Sequence, residues 1–94
     1  MLLLPATLTA HEARDTLRML TQAIQGQTDG VAVDASHLVQ FDSSALSVLL
    51  ECERQAQAWG KTFELRDAPP KLAALAKLYG VDGLLMGTAA GALA

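Results

Sequence analysis

A chain of 94 residues with a formal net charge of -3 is long enough for one small domain and too short for two. Hydrophobic residues make up 51% of the chain but aromatic residues only 4%, so its core must be aliphatic, which suits helices on a small sheet better than an all-β sandwich. The basic residues form no cluster, which argues against nucleic acid as a partner, and Cys52 is the only cysteine, which excludes an intramolecular disulfide.

The N-terminal part of the chain predicts a short strand, a helix and a buried strand. The apolar residues 2–4 predict the end of a strand, which Pro5 stops. Thr9 and Glu12 have the spacing of a capping box, and the helix that follows should end near Gly26. Residues 31–35 are apolar except for Asp34 and lie between turn residues, which predicts a buried strand. The predicted buried stripe of the helix is Ala13, Leu17, Leu20 and Ile24.

The rest of the chain predicts a loop, a second helix, a strand and a third helix. The loop covers residues 36–40 and the second helix residues 44–59, with Gly60 as its stop signal. Residues 62–66 alternate polar and apolar side chains and predict a strand, and Pro70 suits the first position of the third helix. Residues 81–86 predict a short strand or an irregular crossing segment. The predicted buried residues of the second helix are Ala45, Leu46, Leu49, Leu50, Cys52, Ala56 and Trp59, and those of the third are Leu72, Leu75, Leu78 and Tyr79.

This β-α-β-α-β-α order predicts an α/β fold with a small, open and mostly parallel sheet joined by right-handed crossovers. The domain should cover residues 1–86, and residues 87–94 form an Ala/Gly-rich tail with no predicted function. Partners of such sheets usually meet the loops at the carboxyl ends of the strands. The segment Asp42-Ser43-Ser44 leads from such an end into the second helix and is therefore the candidate site.

Asp42, Ser43 and Ser44 allow two interpretations. Asp and Ser are favoured residues at the start of a helix, so the segment could simply cap it. Alternatively, it presents a hydroxyl to a kinase or to a docking partner. A phosphate on Ser44 would be favoured by the helix N-terminus and opposed by Asp42. Because the two effects nearly offset, phosphorylation should act mainly on a partner pressed against this surface.

No catalytic, cofactor or metal site is predicted. The Gly-x-Ser-x-Gly elbow is absent, so a hydrolase that uses Ser44 with His37 as its base has little support. The sequence contains neither Gly-x-x-x-x-Gly-Lys-Ser/Thr nor Gly-x-Gly-x-x-Gly, so no motif supports nucleotide binding. His11, His37 and Cys52 show no metal-ligand spacing, and Cys52 lies within an apolar stripe. A single cysteine, a start too short for a signal peptide and the lack of an apolar run of about 18 residues predict a cytoplasmic protein that does not insert into the membrane.

Residues 33–46 resemble STAS domains, the fold of the anti-sigma-factor antagonists. In that family a strand ending in Asp-Leu-Ser is followed by a short loop and by Asp-Ser/Thr-Ser/Gly-Gly-Leu at the start of a helix. Residues 4–9 with Ala13 are similar to the family's Leu-x-Gly-x-Leu-Thr segment, and Gly60-Lys61 before the third strand also fits. The resemblance therefore covers nearly the whole chain, and it implies a small STAS-like open sheet with a reduced N-terminal strand.

Two branches of the family imply different partners. In the anti-sigma-factor antagonists, a partner serine kinase phosphorylates the serine that matches Ser44. In the STAS subunit of the lipid-asymmetry (Mla) ABC transporters, the residue matching Ser43 is usually Thr and contacts the cytoplasmic ATPase subunit. Residues 75–81 are similar to the Leu-Ala-Lys-Leu-Tyr segment of that subunit, which favours the transporter.

The resemblance thus implies a non-enzymatic regulatory subunit that binds the ATPase of a phospholipid transporter and lies at the inner membrane only through it. The alternative is an anti-sigma-factor antagonist switched by phosphorylation of Ser44, or of Ser43. For the transporter subunit, the implied docking side is the loop and first turn of the second helix, with Asp42, Ser43, Ser44 and Leu46.

The sequence departs from the family pattern at two places, and each departure leads to a separate expectation. Ala45 stands where the family usually has Gly, so its methyl group should hinder the close approach of a kinase. The usual first strand is missing, because residues 2–4 match the second strand, and an edge of the sheet should be bare. Bare edges invite pairing. We therefore expect either a homodimer formed through that edge or a start codon further upstream.

Overall fold

The computed structural model describes residues 2–28 and 30–85, and every strand pair in them is parallel. The elements in chain order are β1 Leu2–Leu3, β2 Thr7–Leu8, α1 Ala10–Gly26, β3 Gly30–Asp34, β4 Gln40–Phe41, α2 Ser43–Ala58, β5 Thr62–Arg66, α3 Pro70–Leu78 and α4 Asp82–Leu85. The predicted α/β class, with a small and mostly parallel open sheet, is confirmed. β2, β4 and α4 were not predicted.

The main sheet has the strand order β1-β3-β5, with β1 at one edge. Val31 pairs with Phe63 and Val33 with Leu65, and these four side chains form the inner face, which packs on the core. The opposite face carries Glu64 and other residues that are exposed or half-buried. The sheet is therefore covered on one side only, as the alternating burial of β3 and β5 shows.

A second, two-stranded sheet pairs β2 with β4. Thr7 lies beside Gln40 and Leu8 beside Phe41. Just before the pairing, the backbone N–H groups of Val39 and Gln40 donate to the carbonyl oxygen of Ala6, at 2.7 and 2.9 Å. The sequence predicts a loop through Gln40, because a two-residue strand is too short to show an alternating pattern and its partner is remote in the chain.

α1 begins as its capping box predicts. The Glu12 carboxylate accepts hydrogen bonds from the backbone N–H of Thr9 at 2.9 Å and from the Thr9 hydroxyl at 2.7 Å. Its inner side buries Leu20 and Ile24 and half-buries Leu17. α1 packs along α2, whose inner side carries the predicted aliphatic residues. The two helices and the inner face of the main sheet together enclose the core.

The end of α2 differs from the prediction at Trp59. The last helical residue is Ala58, and Trp59 is exposed, with the Lys61 ammonium 5.1 Å from the centre of its ring. The buried stripe therefore stops at Ala56. Gly60 ends the segment with a φ of +71°, in the left-handed region that favours glycine.

The predicted buried side of α3 is only half right. Leu72 and Ala76, one turn apart, are buried and Leu75 is half-buried, but Leu78 is 77% exposed. Position 78 lies about 200° around the helix from position 76, on the side away from the core. Tyr79 is also exposed, because it follows the last helical residue and no longer shares the inner face.

The segment after Gly80 forms the short helix α4, which replaces the predicted strand or irregular crossing. Leu85 is buried in the core, and α4 contacts α2, α3 and β5. The predicted boundary between the domain and its tail, at residues 86 and 87, lies outside the residues that the structure describes. Within residues 2–28 and 30–85, no helix is both long and apolar enough to cross a membrane.

Candidate functional site

Two helices begin side by side at one edge of the molecule. β2 and β4 are paired in register, and each is followed by a single capping residue, Thr9 for α1 and Asp42 for α2. The pairing of the strands therefore brings the two caps next to each other. The backbone N–H of Ala10, the first residue of α1, is close enough to the Asp42 carboxylate to act on it. The candidate site therefore lies at an edge of the molecule where the N-termini of α1 and α2 are neighbours.

Asp42 is the N-cap residue of α2. Its backbone is extended, and its Oδ1 accepts a hydrogen bond of 2.8 Å from the backbone N–H of Ser44. That N–H, and less strongly the Ser44 hydroxyl and the N–H of Ala10, hold the pKa of the Asp42 carboxyl below its ordinary value. The carboxylate therefore remains ionised throughout the neutral range and is fixed in one direction.

The loop that leads to Asp42 is held in place by hydrogen bonds and by a buried side chain. The Asp34 carboxylate accepts a hydrogen bond of 2.8 Å from the backbone N–H of Ser36, which turns the chain at the end of β3. The N–H of Ala35 donates to the carbonyl of Arg66 at 2.9 Å, and Leu38 is buried. These contacts fix the path of the loop and with it the position of the first turn of α2.

The structure leaves the polar part of the predicted site open to solvent. Asp42 and Ser43 are exposed, and Ser44 is half-buried. Another molecule can therefore reach the carboxylate and the Ser43 hydroxyl without any rearrangement. The half-buried Ser44 side chain is less accessible than that of Ser43.

Leu46 does not belong to this surface, so its predicted place on the docking side is wrong. The side chain is 2% exposed and lies in the core. The same holds for Ala45, which is fully buried. Ala45 and Leu46 lie on the side of α2 that also carries the buried Leu49. The Ala45 methyl group thus packs inside the protein and cannot obstruct a partner, contrary to the expectation drawn from its departure from Gly.

Two side chains that were not predicted lie beside the site. Val39 is 75% exposed although it is aliphatic, and Lys71 is exposed at the start of α3. Both line a shallow hollow of about 510 Å³ together with Thr7, Thr9, Gln40 and Phe41. Val39 could have been noticed as an apolar residue in a predicted loop. Lys71 could not, because it comes to the site through the fold, 29 positions after Asp42.

The side chains of this surface supply groups that a partner can contact. Cys52 is not among them, because it is fully buried, and burial raises the pKa of its thiol to about 12, so the thiol stays protonated at neutral pH. In the described ranges, no three His, Cys, Asp or Glu side chains are grouped so as to hold a metal ion. The surface offers a fixed carboxylate, an exposed hydroxyl, an ammonium group and an aliphatic side chain.

The chain is similar to one protein family over nearly its whole length. A family model described as "Mlab, STAS domain" matches residues 1–87. A search of the curated proteins found no match. Membership of this family supports an accessory or regulatory role, and STAS domains are typically non-enzymatic. The small parallel sheet with its helices on one face is consistent with that fold. The chain therefore belongs to the STAS domain family.

Proposed function

We propose that this chain is a non-enzymatic accessory subunit of a phospholipid-transporting ABC complex and binds its cytoplasmic ATPase subunit. The contact is the docking surface formed by Val39, Asp42, Ser43, Ser44 and Lys71. The description of the matching family model, which names Mlab, supports this choice among STAS functions.

The observation that carries the proposal is the exposed Ser43 beside a fixed carboxylate. Ser43 is the first residue of α2, and the neighbouring Asp42 is oriented by the N–H of Ser44 at 2.8 Å. The backbone on both sides belongs to regular secondary structure, with β4 before Asp42 and α2 from Ser43 onward. A partner therefore binds this surface without the entropic cost of ordering a loop, which favours a specific complex.

The docking surface also contains an apolar contact and a positive charge. Val39 is 75% exposed, and burial of an aliphatic side chain against a partner is favourable in free energy. Lys71 lies across the same hollow and can pair with an acidic group of the partner. An apolar contact with polar and charged side chains around it matches the arrangement of a protein–protein interface, in which a polar rim surrounds an apolar centre.

The segment Leu75 to Val81, which resembles the transporter subunit, supports the same proposal. Its Leu78 and Tyr79 are exposed, so the resemblance does not follow simply from the needs of core packing. Exposed aliphatic and aromatic side chains at these positions are available to a partner.

The proposal is tested by co-purification with the transporter's ATPase subunit. Ser43→Arg places a long cationic side chain in the middle of the docking surface, and we expect at least tenfold weaker capture of the ATPase, corresponding to about 1.4 kcal/mol. Circular dichroism and the urea midpoint should be unchanged, because Ser43 is exposed. Thr28→Arg is the matched control, since Thr28 is exposed and follows α1 at the opposite end of that helix.

Undiminished capture by Ser43→Arg would show that the ATPase contacts a different surface. Equal loss in Thr28→Arg would show a general effect of added charge. Failure of the wild-type chain to capture any ATPase of this class would rule out the transporter function itself.

The exposed hydroxyl of Ser43 and the half-buried one of Ser44 also favour a second candidate function, that of an anti-sigma-factor antagonist switched by phosphorylation. It predicts a mass gain of one phosphoryl group on incubation with the cognate serine kinase and ATP. The gain should be lost in Ser44→Ala and kept in Ser43→Ala. If the mass gain is lost in Ser43→Ala instead, the phosphorylated residue is Ser43. The absence of any mass gain in the wild-type chain would refute this function.

A further inference from the structure

A long groove runs between α1 and α2 on the outside of the molecule. It has a volume of about 720 Å³, and its apolar lining comprises the half-buried Ala13 and Leu17 of α1 and the buried Val48 of α2, so the accessible apolar surface comes from α1. Arg14 and Arg18 line its α1 side, one helical turn apart. The remaining lining residues are uncharged and polar, among them Ser47. None of the residues of this groove belongs to the docking surface of the proposed function.

The two arginines give the groove a charge opposite to that of the whole chain. The formal net charge is -3, yet no acidic side chain lines the groove in the part of the chain that the structure describes. The described ion pairs are Arg54 with Glu51 and Arg66 with Glu64, so Arg14 and Arg18 are not among the paired arginines. Both are exposed, and their guanidinium groups are free to bind carboxylates in bidentate fashion.

The walls of the groove decide what shape of partner fits. An extended peptide binds best where a sheet edge offers free backbone N–H and C=O groups. Here both walls are helices, whose backbone groups are bonded internally, so only side chains are offered. An amphipathic helix suits such a groove, because its apolar stripe packs on the floor while polar side chains reach the rims.

We propose that the groove between α1 and α2 binds an acidic amphipathic helix of a partner protein. The apolar stripe of that helix would cover the half-buried Ala13 and Leu17, and its carboxylates would pair with Arg14 and Arg18. The groove extends along α1 from Ala13 to Gln25, which corresponds to about 18 Å and so to a bound helix of roughly 12 residues.

The test uses the full chain and a display library of 14-residue peptides with a helix-favouring framework. Selection on the wild-type chain is followed by counter-selection on Arg14→Glu/Arg18→Glu. We expect the enriched peptides to carry aliphatic residues at positions i, i+3 or i+4 and i+7, flanked by Asp or Glu. Amide chemical shifts perturbed by one such peptide should map to the groove.

The affinities of the selected peptide for charge variants then distinguish specific charge pairing from nonspecific binding. Fluorescence polarisation of the selected peptide should show at least about a tenfold loss of affinity on Arg14→Glu/Arg18→Glu. Arg54→Glu/Lys77→Glu is the matched control, because it changes the net charge equally at two exposed helical positions outside the groove, and it should leave the affinity within twofold. A peptide in which each Asp and Glu is replaced by Lys should bind the Arg14→Glu/Arg18→Glu variant better than the wild type.

Enriched peptides without acidic residues, perturbed shifts outside the groove or equal binding to the two double variants would each overturn the proposal. So would self-association of the wild-type chain that Arg14→Glu/Arg18→Glu abolishes and Leu3→Lys leaves intact in sedimentation, because the occupant of the groove would then be a second copy.

Discussion

At the scale of single residues, Asp42 shows how one side chain can serve both the fold and the site. Its carboxylate accepts the N–H of Ser44, which would otherwise be unpaired at the start of α2. The same bond holds the carboxylate toward solvent beside Ser43. Both interpretations of the segment, a helix cap and a contact for a partner, are therefore compatible with the structure, and the capping role is the one observed.

Replacement of Asp42 should reveal the capping role through the pH dependence of stability. The pKa of its carboxyl is lowered by the Ser44 N–H, so its stabilising effect is present above the ordinary pKa and is lost as the pH falls through the lowered one. Glu12 and Asp34 have lowered pKa values for similar reasons, the former through Thr9 and the latter through Ser36. The wild type should therefore lose stability as the pH falls below about 4.

We expect Asp42→Asn to keep most of the capping at pH 7, because Asn is also a good N-cap, and Asp42→Ala to lose more. As the pH is lowered toward 3, the difference between the wild type and Asp42→Asn should shrink. Urea midpoints at pH 7, 4 and 3 measure this. A difference that grows with acidity would mean that the carboxylate does not stabilise α2.

At the scale of secondary-structure elements, α3 is a helix that the sequence predicts correctly, although the predicted buried face is partly wrong. The start at Pro70 and the approximate end are as predicted, but only Leu72 and Ala76 are fully buried. A nine-residue helix contacts the core through about one stripe, and Leu78 lies outside that stripe. Apolar spacing alone did not distinguish the two sides, because this helix is apolar on both.

Two leucines of α3 should therefore respond differently to truncation. Leu72 is 0% exposed, so Leu72→Ala leaves a cavity and should lower the free energy of unfolding by about 2–5 kcal/mol. Leu78→Ala removes an exposed side chain and should change it by less than about 0.5 kcal/mol. Urea denaturation of both variants tests the assigned face, and similar losses in the two would show that α3 is rotated relative to the structure.

At the scale of the whole molecule, one edge of the main sheet and the helix beside it carry apolar surface. β1 pairs with β3 on one side, and in the described part of the chain no strand pairs with its other side. Leu3 is 53% exposed, and Met19 of α1 is exposed nearby. Both line an apolar hollow with Leu2, Leu20 and Ala23. The bare edge that the sequence predicts is therefore present at β1.

We expect a second copy of the chain to pair along this edge, because an isologous contact would bury Leu3 and Met19 of both copies. Sedimentation equilibrium at micromolar concentration should give a dimer, and Leu3→Lys should give a monomer. Leu84→Lys is the matched control, since Leu84 is also 53% exposed but lies on α4. A monomeric wild type, or dissociation by both variants, would contradict pairing through β1.

The sequence by itself determined the features that depend on neighbouring residues. The capping box of Thr9 and Glu12, the strand over residues 62–66 and the start of α3 at Pro70 were all predicted, because capping, alternation and the fixed φ of proline act within a few residues. The STAS resemblance was also carried by local motifs, and the family match over residues 1–87 confirms it.

Only the tertiary structure decided which of these residues meet and which side chains face outward. The pairing of β2 with β4 sets the caps of α1 and α2 side by side, and Lys71 lines the same hollow as Val39 and Phe41 from a distant part of the chain. Val39 is 75% exposed although it is aliphatic, whereas the burial of Leu46, which the apolar spacing of the second helix predicts, is confirmed. Burial depends on what packs against a position in three dimensions, and local spacing does not contain that information.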